Sequence, residues 1–363
     1  LDNYAFVRTS GYLPGTNDVY VSLGQVKKYG MRKGDSIVGA IRQPREGEGG
    51  GRQKYNAIVR VDTINSRPVD APQTREEFAD LTPLHPAERL RLETGAEDLT
   101  QRVVDLFAPI GKGQRGLVIG PRESGKSTLL RRIAAAVAEN QPGTHLMLVL
   151  LDERPEEVTE LQRTVNGEVI ASTFDRPAED HITIAELAVE RAKRLVELGH
   201  DIVVLIDSVT SLARAQNALA PAAARVPAGQ LDATAIHPVK KLLSAARNIE
   251  NGGSLTIIAT ASAQPGSHVD EAVIGELEGV TNMQVRLSGR AADRRVFPAV
   301  DLSASSTRRE ELLTSVAEAG VMNTLRRRLA AKETEEALEE VLQQLSGTSS
   351  NVEFLAIAQR SQG

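Results

Sequence analysis

Gly120-Pro121-Arg122-Glu123-Ser124-Gly125-Lys126-Ser127 satisfies the pattern G-x-x-x-x-G-K-[ST] at every position. The octapeptide follows an apolar run, GLVIG (116–120), and opens a helical stretch, STLLRRIAAAVAEN (127–140). That strand–loop–helix setting is what a phosphate-binding loop requires. Glycines let backbone N–H groups turn inward around phosphates, and the helix N-terminus adds partial positive charge. The motif therefore assigns Gly120, Glu123, Ser124, Gly125, Lys126, Ser127 and Thr128 to a nucleotide. Lys126 is expected to reach the β- and γ-phosphates, and the Ser127 hydroxyl to ligate Mg²⁺ beside ATP. The bland alternative is a chance glycine turn before a helix.

Moving outward, further apolar runs read as strands: HLMLVLL (145–151), EVIASTF (168–174), DIVVLID (201–207) and SLTIIATAS (254–262). Helical runs such as ITIAELAVERAKRLVELG (182–199) lie between them. Near-continuous apolar strands alternating with amphipathic helices predict a mostly parallel sheet covered on both faces, an α/β P-loop domain over 99–363. Ligands in such sheets gather at the carboxyl ends of the strands. Asp207 ends one strand and is expected to hold the magnesium through water; its alternative is a helix cap shared with Ser208. Glu153 follows another strand, before Arg154, and is expected to orient and deprotonate the attacking water. Its alternative is again a cap, for the helix that follows.

Residues 1–66 have a different texture. They hold ten Lys or Arg against six Asp or Glu, a net +4 against about −9 for the remainder of a chain whose total is −5. All five tyrosines lie at or before Tyr55. A basic, tyrosine-loaded front on an acidic body suggests a polyanionic partner for the front alone. Short strands, YAFVR, DVYVS, DSIVGAIRQ and NAIVRVDTIN, separated by Gly-, Pro- and Asp-containing turns, predict a small all-β barrel of the OB or cold-shock kind. The glycine-rich insert 46–53 is expected to be a mobile hairpin tip. Residues 67–98 carry four prolines and no sustained strand, and read as a connector.

The chain has no cysteine, which excludes disulfides, thiolate zinc sites and cysteine nucleophiles. No apolar run approaches the ~20 residues that cross a bilayer, so no membrane role is expected. The first residues lack a signal layout and an initiator Met, and the expectation is a fragment of a longer, cytoplasmic protein.

The strings LTPLHP, RGLVIGPRESGKSTLL, LLDERPEEVTELQR, GEVIASTFD, SLTIIATA, RVFPAVD and TRREELL together resemble the Rho family of bacterial transcription termination factors. The likeness runs from the first strand past residue 295 and weakens over the last forty or so residues. It implies a RecA-like ATPase domain in a homohexameric ring that binds nascent single-stranded RNA, C-rich or pyrimidine-rich. Such a ring translocates by ATP hydrolysis and dissociates the RNA polymerase elongation complex.

Residue by residue, the resemblance places Tyr4 and Phe6 on the primary RNA site, where alternation along a strand puts both rings on one face. The alternative is that they fill the barrel core. Tyr20 and Tyr55 join them, and Arg8, Lys27 and Lys28 would track phosphates. Phe297 matches the ring that stacks on adenine, with core packing as its alternative. Arg214 matches an arginine facing the nucleotide, and Arg308 a finger donated across the subunit interface. Arg225, in the loop 221–233, and His268, in 263–271, fall in two loops that line the ring's channel. Glu123 and His268 stand where many relatives carry lysine, and Arg225 replaces another channel lysine.

Two other classes compete. A rotary or secretion-type ATPase subunit would not need the basic, aromatic front. A non-motor RNA binder that uses ATP only to hold its shape would need neither Glu153 nor Arg308.

Overall fold

The computed structural model describes residues 4–42, 55–70, 75–221, 226 and 229–360. The insert 46–53 and Arg225 lie outside the described residues.

The central sheet runs in the order 168–173, 145–153, 201–207, 254–262, 115–120, 283–287, 300–307. The first six strands are parallel and Val300–Thr307 is antiparallel to its neighbour. Alternate residues of each strand enter two separate cores, which is why the strands read as unbroken apolar runs. Leu146, Leu148, Leu150, Val203, Leu205 and Ile258 pack under the P-loop helix, Lys126–Asn140, through Leu129, Leu130 and Ile133. Met147, Val149, Leu151, Val204 and Ile206 pack on the other face against helix Ala178–Val196 through Ile184, Ala188 and Val189.

At the front, a second sheet of five strands orders Tyr4–Val7, Val19–Ser22, Asn56–Ile64 and Ile37–Arg42, with Arg67–Pro68 paired to Asn56–Ile64. Its core is Val19, Val21, Ile58, Val61 and Ile64, with Ala5 and Val7 packed against it. It is not wholly β. A short helix, Leu23–Lys28, follows Ser22, whose side chain and Gln25 form a reciprocal capping box.

The connector is tied to both sheets. Arg67–Pro68 extends the front sheet, while Pro83–Leu84 pairs with Arg247–Ile249 at the margin of the central one. Proline is tolerated there because the position is an edge.

Direct contacts join the front to the ATPase body. Arg191 donates to Asn65 at 2.7 Å, Arg32 to Glu197 at 3.2 Å, and Tyr12 to Glu168. Gly34 sits at φ +90 with its Cα against the backbone of Glu190, where a Cβ would come within 2.5 Å. Only glycine fits that approach. At the other end, fully buried Arg102 donates to Leu345, Thr348 and Asn351, anchoring the last two helices on the P-loop face. Among the described residues, no helix is long and apolar enough to cross a membrane.

Candidate nucleotide and RNA sites

The P-loop strand ends at Gly120, where an added Cβ would lie 2.5 Å from Ser124 Oγ and 2.9 Å from Leu287 Cβ. Ser124 is buried and its hydroxyl donates to the Pro121 carbonyl at 2.8 Å, folding the loop back on itself. Glu123 has φ +61 and Gly125 φ +97, two left-handed residues that turn the chain into helix Lys126–Asn140. The Lys126 ammonium donates to Pro121 O at 2.6 Å. Burial pulls its pKa below the ordinary lysine range, while Asp207 and Asp270 favour its charged form.

Asp207 ends its strand as expected, and it does not act as a cap. The cap of helix Val209–Ala218 is Ser208, whose Oγ accepts from Ser211 N at 3.1 Å. The Asp207 carboxylate instead accepts the hydroxyl of Thr260, on the strand between its own and the P-loop strand. Glu153 is not a cap either. Helix Pro155–Thr164 has Arg154 at its cap position without a side-chain bond, and the Arg154 N–H donates to Glu153 Oε1 at 3.0 Å. Burial, with the nearby Asp207 charge, raises the Glu153 pKa above the usual carboxylate range. A carboxyl so placed is a stronger base than a solvated one.

Phe297 is 45% exposed, and its ring stands 3.9 Å from where a Gly125 Cβ would be. It is a ring beside the phosphate loop, not a core side chain. Arg214 donates to Asp270 at 2.6 Å; Asp270 is wholly buried and also accepts from Gln264 N at 3.1 Å. Ala263 N donates to Gly120 O at 3.0 Å, so the loop that continues to His268 is bonded to the P-loop itself. His268 is exposed at the start of helix His268–Glu278, 3.6 Å from Glu271.

Arg308 lies elsewhere. Its N–H donates to Asn282 O, and the preceding Thr307 pairs with Met283, which pairs with Gly116. Gly116 is the second residue of the P-loop strand and Gly120 its last. Four residues of strand, about 13 Å, therefore separate Arg308's level from the P-loop of its own chain.

On the front sheet, Tyr4, Phe6, Tyr20 and Tyr55 form one aromatic patch. Phe6 lies 4.8 Å from Tyr55 and 6.2 Å from Tyr20, and Tyr4 lies 5.7 Å from Phe6. Ala5 and Val7, on the opposite face of the strand, pack on the core, so these rings do not fill it. Arg8 is committed to an ion pair with buried Asp18, an engagement not legible in the sequence. Lys27 and Lys28 occupy the last turn of the short helix, with Lys28 Nζ 4.9 Å from the Tyr29 ring centroid.

No cluster of three or more His, Cys, Asp or Glu side chains able to hold a metal occurs among the described residues. The donor set at the P-loop, one hydroxyl (Ser127) and one buried carboxylate (Asp207), fits Mg²⁺. That ion takes hard oxygen ligands and keeps waters and substrate phosphates for the remaining positions. Thr260, Asp270 and Gln264 are bonded to these groups or to one another, and sequence reasoning reached Gln264 and Asp270 only as members of the loop 263–271. Thr260 left a signal, one of two threonine hydroxyls inside a largely apolar buried run.

This loop, these acids and this sheet define a P-loop nucleotide-binding protein. Residues 100–307 match the ATP synthase alpha/beta family nucleotide-binding domain, and residues 1–70 match the Rho termination factor RNA-binding domain. The chain belongs to the transcription termination factor Rho family. It is 56% identical over 361 residues to the factor of Streptomyces lividans, covering 99% of this chain and 51% of that protein. The Micrococcus luteus factor is 58% identical over 369 residues, with coverages of 99% and 53%. That of Streptosporangium roseum is 51% identical over 354 residues, with coverages of 98% and 89%. The chain thus spans about half the length of the first two. A solved type III secretion ATPase superposes with TM-score 0.60 at 22% identity, covering 71% of this chain and 82% of that one, a likeness of fold.

Proposed function

We propose that this chain is the RNA-binding and ATPase portion of a transcription terminator: an RNA-dependent ATPase that assembles as a homohexamer in the cytoplasm. The observation that carries the reading is one chain bearing two sites. It has a complete P-loop with Glu153 and Asp207 at neighbouring strand ends, and a front sheet whose aromatic patch stands outside its own core. The units in this reading are a front barrel (1–66), to whose edge Arg67–Pro68 of the connector (67–98) adds a short strand, and the ATPase domain (99–363).

In this reading Gly120 through Thr128 cradle the phosphates, with Lys126 on the β- and γ-oxygens and Phe297 stacked on adenine. Ser127 and Asp207 would hold Mg²⁺, which would supply positive charge to offset that of the phosphate oxygens. Glu153 accepts the proton as water attacks the γ-phosphorus and the bond to the β-phosphate oxygen breaks, releasing ADP. Arg154 adds positive charge around the nucleotide, and Arg214, whose charge is shared with Asp270, turns its remaining N–H donors toward it. Arg308 serves the neighbouring subunit; its level on the sheet, one strand-length from its own P-loop, supports action in trans. Bases stack on Tyr4, Phe6, Tyr20 and Tyr55, while Lys27, Lys28 and the remaining donors of Arg8 meet phosphates. Arg225 and His268 face RNA in the channel.

Halted RNA polymerase complexes carrying a C-rich transcript provide the test. The full-length protein should release transcript with ATP and not with a non-hydrolysable analogue. Retention of the transcript under both conditions would overturn the reading.

A further inference from the structure

Thr260 lies on strand Ser254–Ser262, where Leu255, Ile257, Ala259 and Ala261 enter one core. Thr256, Ile258 and Thr260 point to the other face, beneath the P-loop helix. A hydroxyl on a fully buried strand must find a partner or cost stability. Thr256 meets this need remotely from the site, accepting from Gly113 N at 2.8 Å. Thr260, 0% exposed, donates to Asp207 Oδ1. A second threonine braces the same corner: Thr210, on the helix after Asp207, accepts from Ser262 N at 2.9 Å.

We infer that Thr260 is a positioning residue for the Asp207 carboxylate. Its hydroxyl occupies one oxygen and thereby turns the other toward the Ser127 side of the P-loop, where magnesium would be held. Valine has nearly the same shape and would fill the space with no donor, so packing alone does not call for threonine here. The hydroxyl also gives Asp207 a fixed partner on a strand that is hydrogen-bonded to the P-loop strand, with Thr260 opposite Val118. The acid's orientation therefore follows the strand that leads into the loop 263–267. This inference rests on the magnesium-assisted reading above.

The test is binding of a fluorescent ATP analogue to the full chain across a range of free Mg²⁺, including none. In Thr260→Val the Mg²⁺ concentration at half-saturation should rise about tenfold, the scale of one lost hydrogen bond to a charged group. Affinity without Mg²⁺ should stay near wild type, the melting temperature should fall modestly because buried Asp207 loses a donor, and Thr260→Ser should restore both the midpoint and the melting temperature. In an Asp207→Asn background, Thr260→Val should shift nothing further. If the valine variant does not fold, Thr260→Ala is read in the same way. An unchanged midpoint in a folded variant would overturn the inference. So would an equal loss of affinity with and without Mg²⁺ that serine does not rescue, because that marks a structural role. Wild-type binding indifferent to Mg²⁺ would overturn the magnesium reading itself, and this inference with it.

Discussion

Truncating Tyr4 to alanine should weaken RNA binding strongly and the fold hardly at all. The side chain is 51% exposed and touches Phe6 and Tyr20 at centroid distances of 5.7 and 6.0 Å. Losing such edge contacts costs about 0.5–1.5 kcal/mol. A base that stacks on the ring is worth about 1–3 kcal/mol, a rise of roughly 5- to 150-fold in Kd. Phe6→Ala should behave alike on the RNA side. Val21→Ala supplies the contrast: Val21 is 1% exposed in the core on the other face, and its truncation should cost about 2 kcal/mol of stability. Wherever the Val21 variant stays folded, its RNA affinity should be unchanged. Fluorescence anisotropy with a short oligo(C) RNA at fixed salt reads the first quantity, and urea unfolding the second. The reasoning is refuted if Tyr4→Ala loses several kcal/mol of stability with its RNA affinity intact. It is equally refuted if nucleotide affinity falls in step with RNA affinity.

Three further outcomes are expected. Arg308→Ala should bind ATP nearly normally and hydrolyse it poorly, by about 10³-fold or more. Mixed with Lys126→Ala it should recover partial turnover, and mixed hexamers with no recovery would argue against action in trans. Glu153 must be unprotonated to take a proton and its pKa is raised by burial, so the acid limb of kcat should lie above the ordinary glutamate value of about 4.3. The same raised pKa means that this group's contribution to stability falls as pH rises through the window between its unfolded and folded values. Glu153→Gln should therefore melt no lower than wild type at pH 7 while losing turnover.

The P-loop and the central sheet were legible because their physics is local. A strand buried on both faces must be apolar at nearly every position, and a phosphate cradle must place glycines at set spacings. Asp207 and Glu153 followed from where strands end. What stayed hidden was pairwise. Arg8 reads as a free cation until Asp18 folds against it, and the connector reads as unpaired until Pro83–Leu84 meets Arg247–Ile249. Thr260 and Asp270 lie 53 and 144 positions from the Asp207 and Lys126 they influence, beyond any local pattern. For Arg308 no sequence spacing reports that it stands at the far end of the sheet; the strand register does.

The most direct test of the account is steady-state ATP turnover of the full chain with and without single-stranded poly(C), beside Lys126→Ala under both conditions. The account predicts that turnover depends on the RNA and that Lys126→Ala, still folded, hydrolyses ATP in neither condition. Equal wild-type turnover with and without RNA would contradict it.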